Sequence, residues 1–233
     1  MPKRLLLIPA AGVGERMKIG YPKQYLPLMG EYSMLEVTVN RLSAMELFDQ
    51  VAVVVSESDA YIDKCRFDSE VSIFRCGGAT RAQSVLNGLK ALKAEDEDWV
   101  FVHDAARPCI DKDSVVRLIE SLEDSRIDGA ILALKVTDTI KWVNEDYLIE
   151  KTIDRSHCYR ALTPQVFRSG QLIAALTSAD TLVTDEAGAM ERSRAKIKVV
   201  EGSSINIKVT YPNDIDIVRQ NLKALNKKRG IYK

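Results

Sequence analysis

Short apolar runs alternate with amphipathic stretches along the whole chain. Residues 4–9, 51–55, 71–74, 99–103, 130–134 and 197–200 are each four to six residues long and rich in Val, Ile and Leu. They are apolar on both faces, as strands of a helix-covered parallel sheet must be. Between them lie helical patterns. Residues 34–47 repeat Leu35, Val39, Leu42 and Met45, and residues 81–92 repeat Val85, Leu86, Leu89 and Leu92. Residues 114–122, 171–176 and 213–225 follow the same spacing. Strand alternating with helix predicts βαβ units and an α/β fold with a mostly parallel, doubly wound sheet. One segment breaks the rhythm: residues 137–143 and 148–155 are β-like, with Asn144-Glu145-Asp146 as a turn between them. That reads as a β-hairpin arm inserted into the core, residues 137–155. The last residues, 226–233, read as a basic, frayed tail beyond a single domain spanning 1–225.

Composition narrows the partners. The chain has 233 residues, long enough for a large core without covalent staples. Lys and Arg number 33 against 33 Asp and Glu, so the net charge of zero argues against a nucleic-acid or anionic-membrane footprint. Cys65, Cys76, Cys109 and Cys158 are scattered, with no CxxC pair and only His103 and His157 to help. A structural zinc site is not expected, and the thiols read as reduced cytosolic cysteines. No apolar run approaches the 18 residues of a membrane span, and the stretch Leu5-Leu6-Leu7-Ile8 is too short for a signal segment. The expectation is a soluble, cytoplasmic protein.

Several segments carry candidate chemistry. The first strand runs into Pro9-Ala10-Ala11-Gly12-Val13-Gly14-Glu15-Arg16-Met17. Small residues at the carboxyl end of such a strand let backbone N–H groups approach a phosphate. Met17 stands where GxGxxG needs its last glycine, and no Walker A pattern follows. Gly20 and Pro22 stop an immediate long helix, leaving an extended loop with Arg16, Lys18 and Lys23, a set suited to a triphosphate. Asp104 follows the strand at 99–103 and sits where such sheets place a metal ligand, or an N-cap; Asp111 and Asp113 already supply caps for the next helix. Gly77-Gly78 opens the helix at 81, its N-terminus favouring anionic groups or simply capped by Thr80. Thr184-Asp185-Glu186 has the grammar of a helix start. Thr163-Pro164-Gln165 reads as a loop in which Pro164 holds Thr163 extended. Asn206, Lys208 and Thr210 alternate onto one face of an expected strand, where a lone Lys is commonly just solvated.

Taken together, PAAGxGxRM at 9–17, PKQYL at 22–26, HDAARP at 103–108, ALTPQ at 161–165, TDEA at 184–187 and NIKVT at 206–210 resemble the 2-C-methyl-D-erythritol 4-phosphate cytidylyltransferase family. The blocks run in order from about residue 4 to 222. The resemblance implies a Rossmann-like nucleotidyltransferase fold, a projecting β-arm for dimerisation, a homodimer, and CTP with Mg²⁺. It implies that the loop with Ala10, Ala11, Gly12 and Gly14 wraps the nucleotide, with Arg16 and Lys23 on its phosphates and Gly78 and Ser84 near the cytosine and ribose. Asp104 and Lys208 would sit at the metal and the α-phosphate. Asp104, Arg107, Thr139, Arg155, Thr163 and Thr184 would surround the methylerythritol phosphate, with Arg155 and Thr163 coming from the partner chain. Gly188 stands where the family pattern has Ser, and Tyr211 where a basic residue is common.

The chemistry supports that reading. A sugar phosphate with a second pKa near 6 is largely a dianionic nucleophile at pH 7, so no general base is needed. Positioning and charge carry most of the barrier, and cations beside a metal-binding carboxylate are the equipment for it. A related cytidylyltransferase for another polyol phosphate, such as ribitol 5-phosphate, is disfavoured by Pro9-Ala10-Ala11 and by Ala161-Leu162 before Thr163. Met17 and the extended loop disfavour a dinucleotide-binding oxidoreductase or a non-catalytic nucleotide-binding module.

Overall fold

The computed structural model describes residues 2–12, 20–178 and 183–229. Its centre is a seven-stranded sheet of β1 (Arg4–Pro9), β4 (Gln50–Val55), β5 (Ser72–Arg75), β6 (Trp99–Val102), β7 (Gly129–Lys135), β10 (Tyr159–Arg168) and β11 (Ile197–Glu201), in the order β11-β7-β10-β6-β1-β4-β5. Only β10 runs antiparallel to its neighbours. Alternation along β1 shows why both faces of these strands are apolar. Leu6 and Ile8 point to the face covered by α1 (Met34–Ser43) and α3 (Lys112–Glu120). Leu5 and Leu7 point to the other, covered by α2 (Arg81–Leu92), α4 (Ser169–Ser178) and α5 (Glu186–Arg192).

A third cluster lies under α6 (Asp214–Arg229), where Val218 and Leu222 meet Leu28, Met34 and Val209. Leu28 comes from a short antiparallel pair, β2 (Pro27–Met29) and β3 (Tyr32–Ser33), that the apolar pattern does not signal. Helix α1 begins with a capping box, Ser33 accepting the Glu36 N–H while Glu36 accepts the Ser33 N–H. It stops at Ser43, and the periodicity runs on to Met45 because the following turn still buries that side chain completely. Helix α6 continues to Arg229, into the stretch expected as a tail; residues 230–233 lie outside the described residues.

Residues 159–168, with no strand signal of their own, form β10, so the expected loop at Thr163-Pro164-Gln165 is corrected. Proline is normally excluded from a central strand because it cannot donate to the ladder. Here it lies where the register to β7 shifts between Ala161 and Gln165, a bulge that leaves it out of the pairing. The expected strand at 206–210 is also corrected. That segment has no regular secondary structure, and its Val209 N–H is taken by the Ala106 carbonyl at 2.8 Å.

The hairpin is present as β8 (Lys141–Val143) and β9 (Ile149–Thr152), and among the described residues these strands pair only with each other. Ile140, Trp142, Val143, Leu148 and Ile149 are all exposed, so the arm does not fold back on its own core. No helix among the described residues is long and apolar enough to cross a membrane.

Candidate active site

The chain leaves β1 for β4 on one side and returns to β6 on the other. The ends of β1 and β6 therefore border the crevice where open α/β sheets bind ligands. At the tip of β1 the Ala10 N–H bonds the Val54 carbonyl at 2.7 Å and the Ala10 carbonyl accepts from Gln24 Nε2 at 2.6 Å. The turn before α2 docks against this loop, Gly77 N–H to Val55 O at 2.8 Å. A Cβ on Gly77 would overlap Ala11 Cβ and lie 2.9 Å from the Val55 oxygen, so only glycine permits the approach. Gly78 donates its N–H to Ser84 Oγ at 3.0 Å, and that hydroxyl in turn donates to the Thr80 carbonyl at 2.9 Å. Ser84 is thus buried and shapes the turn, while Thr80 caps α2 by accepting the Gln83 N–H. Lys23 donates to the Val209 carbonyl at 2.8 Å, which ties the loop after β1 to the 205–210 segment. Gly14 and Arg16 lie outside the described residues; Gly12 is exposed at their border.

Just beyond β6, Asp104 gathers three cations. Arg81 Nε is 3.1 Å from Oδ1, while Lys208 Nζ and Arg107 Nε are 2.9 and 3.3 Å from Oδ2. Burial alone would raise the Asp104 carboxyl, but Arg81, Lys208 and Arg107 outweigh it and hold the carboxyl far below the ordinary carboxylate range. Asp104 is therefore permanently ionised at neutral pH, and it is not the N-cap of α3. Asp111 fills that place, accepting the Ser114 N–H at 2.8 Å.

The Asp104 backbone is held from β10, where Thr163 Oγ1 accepts its N–H at 3.1 Å. The same hydroxyl is 3.0 Å from His103 Nδ1, and His103 Nε2 is 3.0 Å from the Arg107 carbonyl. A carbonyl only accepts, so Nε2 carries the ring proton and Nδ1 accepts from Thr163. Burial pushes His103 down to about 4, consistent with a neutral ring. Asn206, also buried, donates Nδ2 to the Thr163 carbonyl at 2.8 Å, and its backbone carbonyl accepts from Arg107 Nη1 at 2.9 Å.

Between these groups lies a cavity of about 180 Å³ lined by Arg81, Asp104, Arg107, Thr163, Thr184 and Lys208, among others. Asp104, Arg107, Thr163, Thr184 and Lys208 of one chain are thus brought together. Thr139 and Arg155 are not; they sit on the arm, where Arg155 Nη1 donates to Thr139 Oγ1 at 3.2 Å. The placement of Thr163 in the partner's site is corrected, because its hydroxyl is committed to Asp104 and His103 of its own chain. Two residues that the motifs did not single out complete the cluster. Arg81 grips the fully buried Glu186 with both terminal nitrogens as well as Asp104. Arg81 is the first residue of the helical pattern at 81–92 and Glu186 lies within TDEA, so the signal lay in an Arg and a Glu each opening a helix beside the crevice. No group of three or more His, Cys, Asp or Glu side chains among the described residues could by itself hold a metal ion.

The sequence profile of the 2-C-methyl-D-erythritol 4-phosphate cytidylyltransferase family matches residues 5–223. A 2-C-methyl-D-erythritol 4-phosphate cytidylyltransferase from Chromobacterium violaceum is 45% identical over 222 residues, 94% of this chain and 98% of that protein. A crystal structure of a 4-diphosphocytidyl-2C-methyl-D-erythritol synthase superposes with a TM-score of 0.82 at 36% identity, covering 95% of this chain and 100% of its own. The enzyme from Francisella tularensis gives 0.80 at 34%, covering 94% and 99%. A glycine-gated turn, an ionised aspartate ringed by cations and this agreement along nearly the full length lead to one assignment: the chain belongs to the 2-C-methyl-D-erythritol 4-phosphate cytidylyltransferase family.

Proposed function

We infer that the family's reaction takes place in the crevice between β1 and β6. In it, the cytidylyl group passes from CTP to the phosphate of 2-C-methyl-D-erythritol 4-phosphate, a step of isoprenoid precursor biosynthesis. The observation that carries this reading is the grouping of Arg81, Arg107 and Lys208 on an ionised Asp104 next to the Gly77-Gly78 turn. An acceptor phosphate oxygen attacks Pα, its new bond forming as the Pα–O bond to the β-phosphate breaks, and the electron pair leaves with pyrophosphate. The acceptor is largely dianionic at pH 7, so no proton need be removed. His103 would be a poor base in any case, since burial lowers its affinity for a proton and both ring nitrogens are committed.

Charge management is the task left to the protein. Lys23 and Arg16 are assigned to the nucleotide phosphates, and Lys208 to the α-phosphate. Lys208 is 2.9 Å from Asp104, and an ammonium has two further donors to offer. Ala10, Ala11, Gly12, Gly14 and Gly78 are assigned to the nucleotide by their backbone, with Ser84 fixing Gly78. Arg107 and Thr184 are assigned to the acceptor, and Thr163 acts by holding Asp104.

The donor set fits a divalent cation shared with the nucleotide, not one held by protein alone. A carboxylate offers about four acceptor positions, and three cations use Asp104 here. A Mg²⁺ completed by phosphates and water needs only one or two carboxylates. When bound, it would neutralise charge developing at the α-phosphate, with Asp104 as its protein ligand.

The arm supports a homodimer. Its exposed Trp142, Leu148 and Ile149 are surface of the kind a two-fold partner covers. Thr139 and Arg155, away from the Asp104 cavity, are assigned to the partner's acceptor site. Four free thiols suit a reducing cytoplasm. A coupled pyrophosphate assay with CTP, other nucleotides and a panel of polyol phosphates tests the reading. Turnover should need CTP, methylerythritol phosphate and a divalent cation. Equal rates with ATP, a preference for ribitol 5-phosphate, or indifference to EDTA would refute it.

A further inference from the structure

Arg81 joins three parts of the crevice that come from distant stretches of the chain. It is the first residue of α2, directly after the turn of Gly77, Gly78, Ala79 and Thr80, and the Thr80 cap fixes its backbone. Its Nε donates to Asp104 Oδ1 at 3.1 Å, and Nη2 donates to Glu186 Oε2 at 3.1 Å beside a second, Nη1 contact to Oε1. Glu186 is fully buried and opens α5, whose N-cap Asp185 is held by Gln165 Nε2 at 2.8 Å. Both ends of the linkage are thus anchored on capped helices.

A guanidinium is planar and presents its donors in a fixed fork. With two N–H groups bound by Glu186, the direction of the Nε–H bond is set, and so is the line along which Oδ1 is met. The other oxygen, Oδ2, is then the one shared by Lys208 and Arg107 at 2.9 and 3.3 Å. Fold stability is a weak explanation for such a pair, since well-packed apolar residues commonly serve as well. Electrostatic neutralisation of Asp104 is also insufficient, because Arg107 and Lys208 already contact it. We propose that Arg81, anchored by Glu186, is a positioning residue: it orients the Asp104 carboxylate so that Oδ2 holds Lys208, and Lys208 in turn is aimed at the reacting phosphate. The proposal rests on the assignment of transfer to this crevice.

Lysine keeps the charge of Arg81 and loses the fork, so Arg81→Lys separates orientation from charge. We expect kcat to fall about 10–100-fold, as misplacement of a catalytic group by an ångström does, with KM for both substrates within about threefold of wild type. The CTP Kd from calorimetry should not move, and the melting curve should remain cooperative. Glu186→Gln should lower kcat in the same sense. The double variant should be no slower than Arg81→Lys alone, because both substitutions break one linkage. A folded Arg81→Lys enzyme at wild-type kcat would overturn the proposal. So would a loss confined to KM for CTP, which would make Arg81 a ligand-binding residue, or additive losses in the double variant. If Arg81→Lys does not fold, Glu186→Gln decides: wild-type kcat there defeats the proposal. Lys208→Ala separates the two levels, since an impaired Lys208→Ala beside an unimpaired Arg81→Lys sinks the positioning role alone, while wild-type rates in both sink the site assignment itself.

Discussion

Thr163 holds Asp104 by its backbone: the Thr163 hydroxyl oxygen accepts the Asp104 N–H at 3.1 Å, across the pair of strands β10 and β6. The hydroxyl's own proton goes to His103 Nδ1 at 3.0 Å, so one oxygen satisfies two buried groups. The tip of β6 is thereby fixed from the one antiparallel strand of the sheet, and the carboxylate that gathers Arg81, Arg107 and Lys208 is carried on that tip.

Thr163→Val keeps the shape and removes the hydroxyl. It leaves the Asp104 N–H and His103 Nδ1 without their partner, and each buried polar group so orphaned costs about 1–3 kcal/mol. For a domain of this size about 2–4 °C of Tm is lost per kcal/mol, so the expected fall is at least about 4 °C in a calorimetric scan, with lower kcat. Thr163→Ser should stay close to wild type. Identical melts for both variants would remove the hydroxyl from the account.

His103 makes a signed prediction about pH. Its folded value of about 4 lies below the ordinary 6.5, so between those limits the unfolded chain binds a proton that the folded chain refuses. Stability is unaffected above about pH 6.5 and is lost as pH falls towards 4, by about 3 kcal/mol in all. His103→Gln should flatten the slope of urea-unfolding free energy across that window. In ¹H–¹³C spectra the wild-type His103 ring should keep its neutral shifts at pH 5; titration near 6.5 would contradict the buried, committed ring.

The arm gives a complementation test. Asp104→Ala and Arg155→Ala each inactivate if the acceptor site is shared between chains. Random subunit exchange makes half the dimers mixed, each with one intact site of two, so about a quarter of wild-type activity should return. No recovery after exchange proven by mass spectrometry, or an active monomer in light scattering, would exclude the shared site.

Much of this was legible in residue order alone, and for physical reasons. Strands β1, β4 and β6 are buried on both faces and must be continuously apolar, which marks them without any partner information. Asp104 and Lys208 were legible through short motifs at strand and loop ends. Strand β10 was hidden because Thr163, Pro164 and Gln165 interrupt its apolar run, and only the bulge opposite β7 makes room for them. Asn206 to Thr210 alternate like a strand but pair with no strand among the described residues. The Arg81–Glu186 linkage joins residues 105 positions apart, and no local pattern reports a tertiary ion pair. The role of Thr163 escaped for a similar reason, since its hydrogen bond to Asp104 spans 59 positions.

The central claim is that fixed positive charge, with no general base, drives the transfer. Pyrophosphate release by Lys208→Ala at saturating CTP and methylerythritol phosphate tests it most directly. Lys208 is partly exposed and its removal leaves Arg81 and Arg107 on Asp104, so the fold and Tm should be preserved. Losing one donor aimed at developing charge costs about 10²–10³-fold in kcat. We predict a fall of that size across pH 6–9, with a wild-type melting curve. A folded Lys208→Ala enzyme releasing pyrophosphate at the wild-type rate would contradict the account.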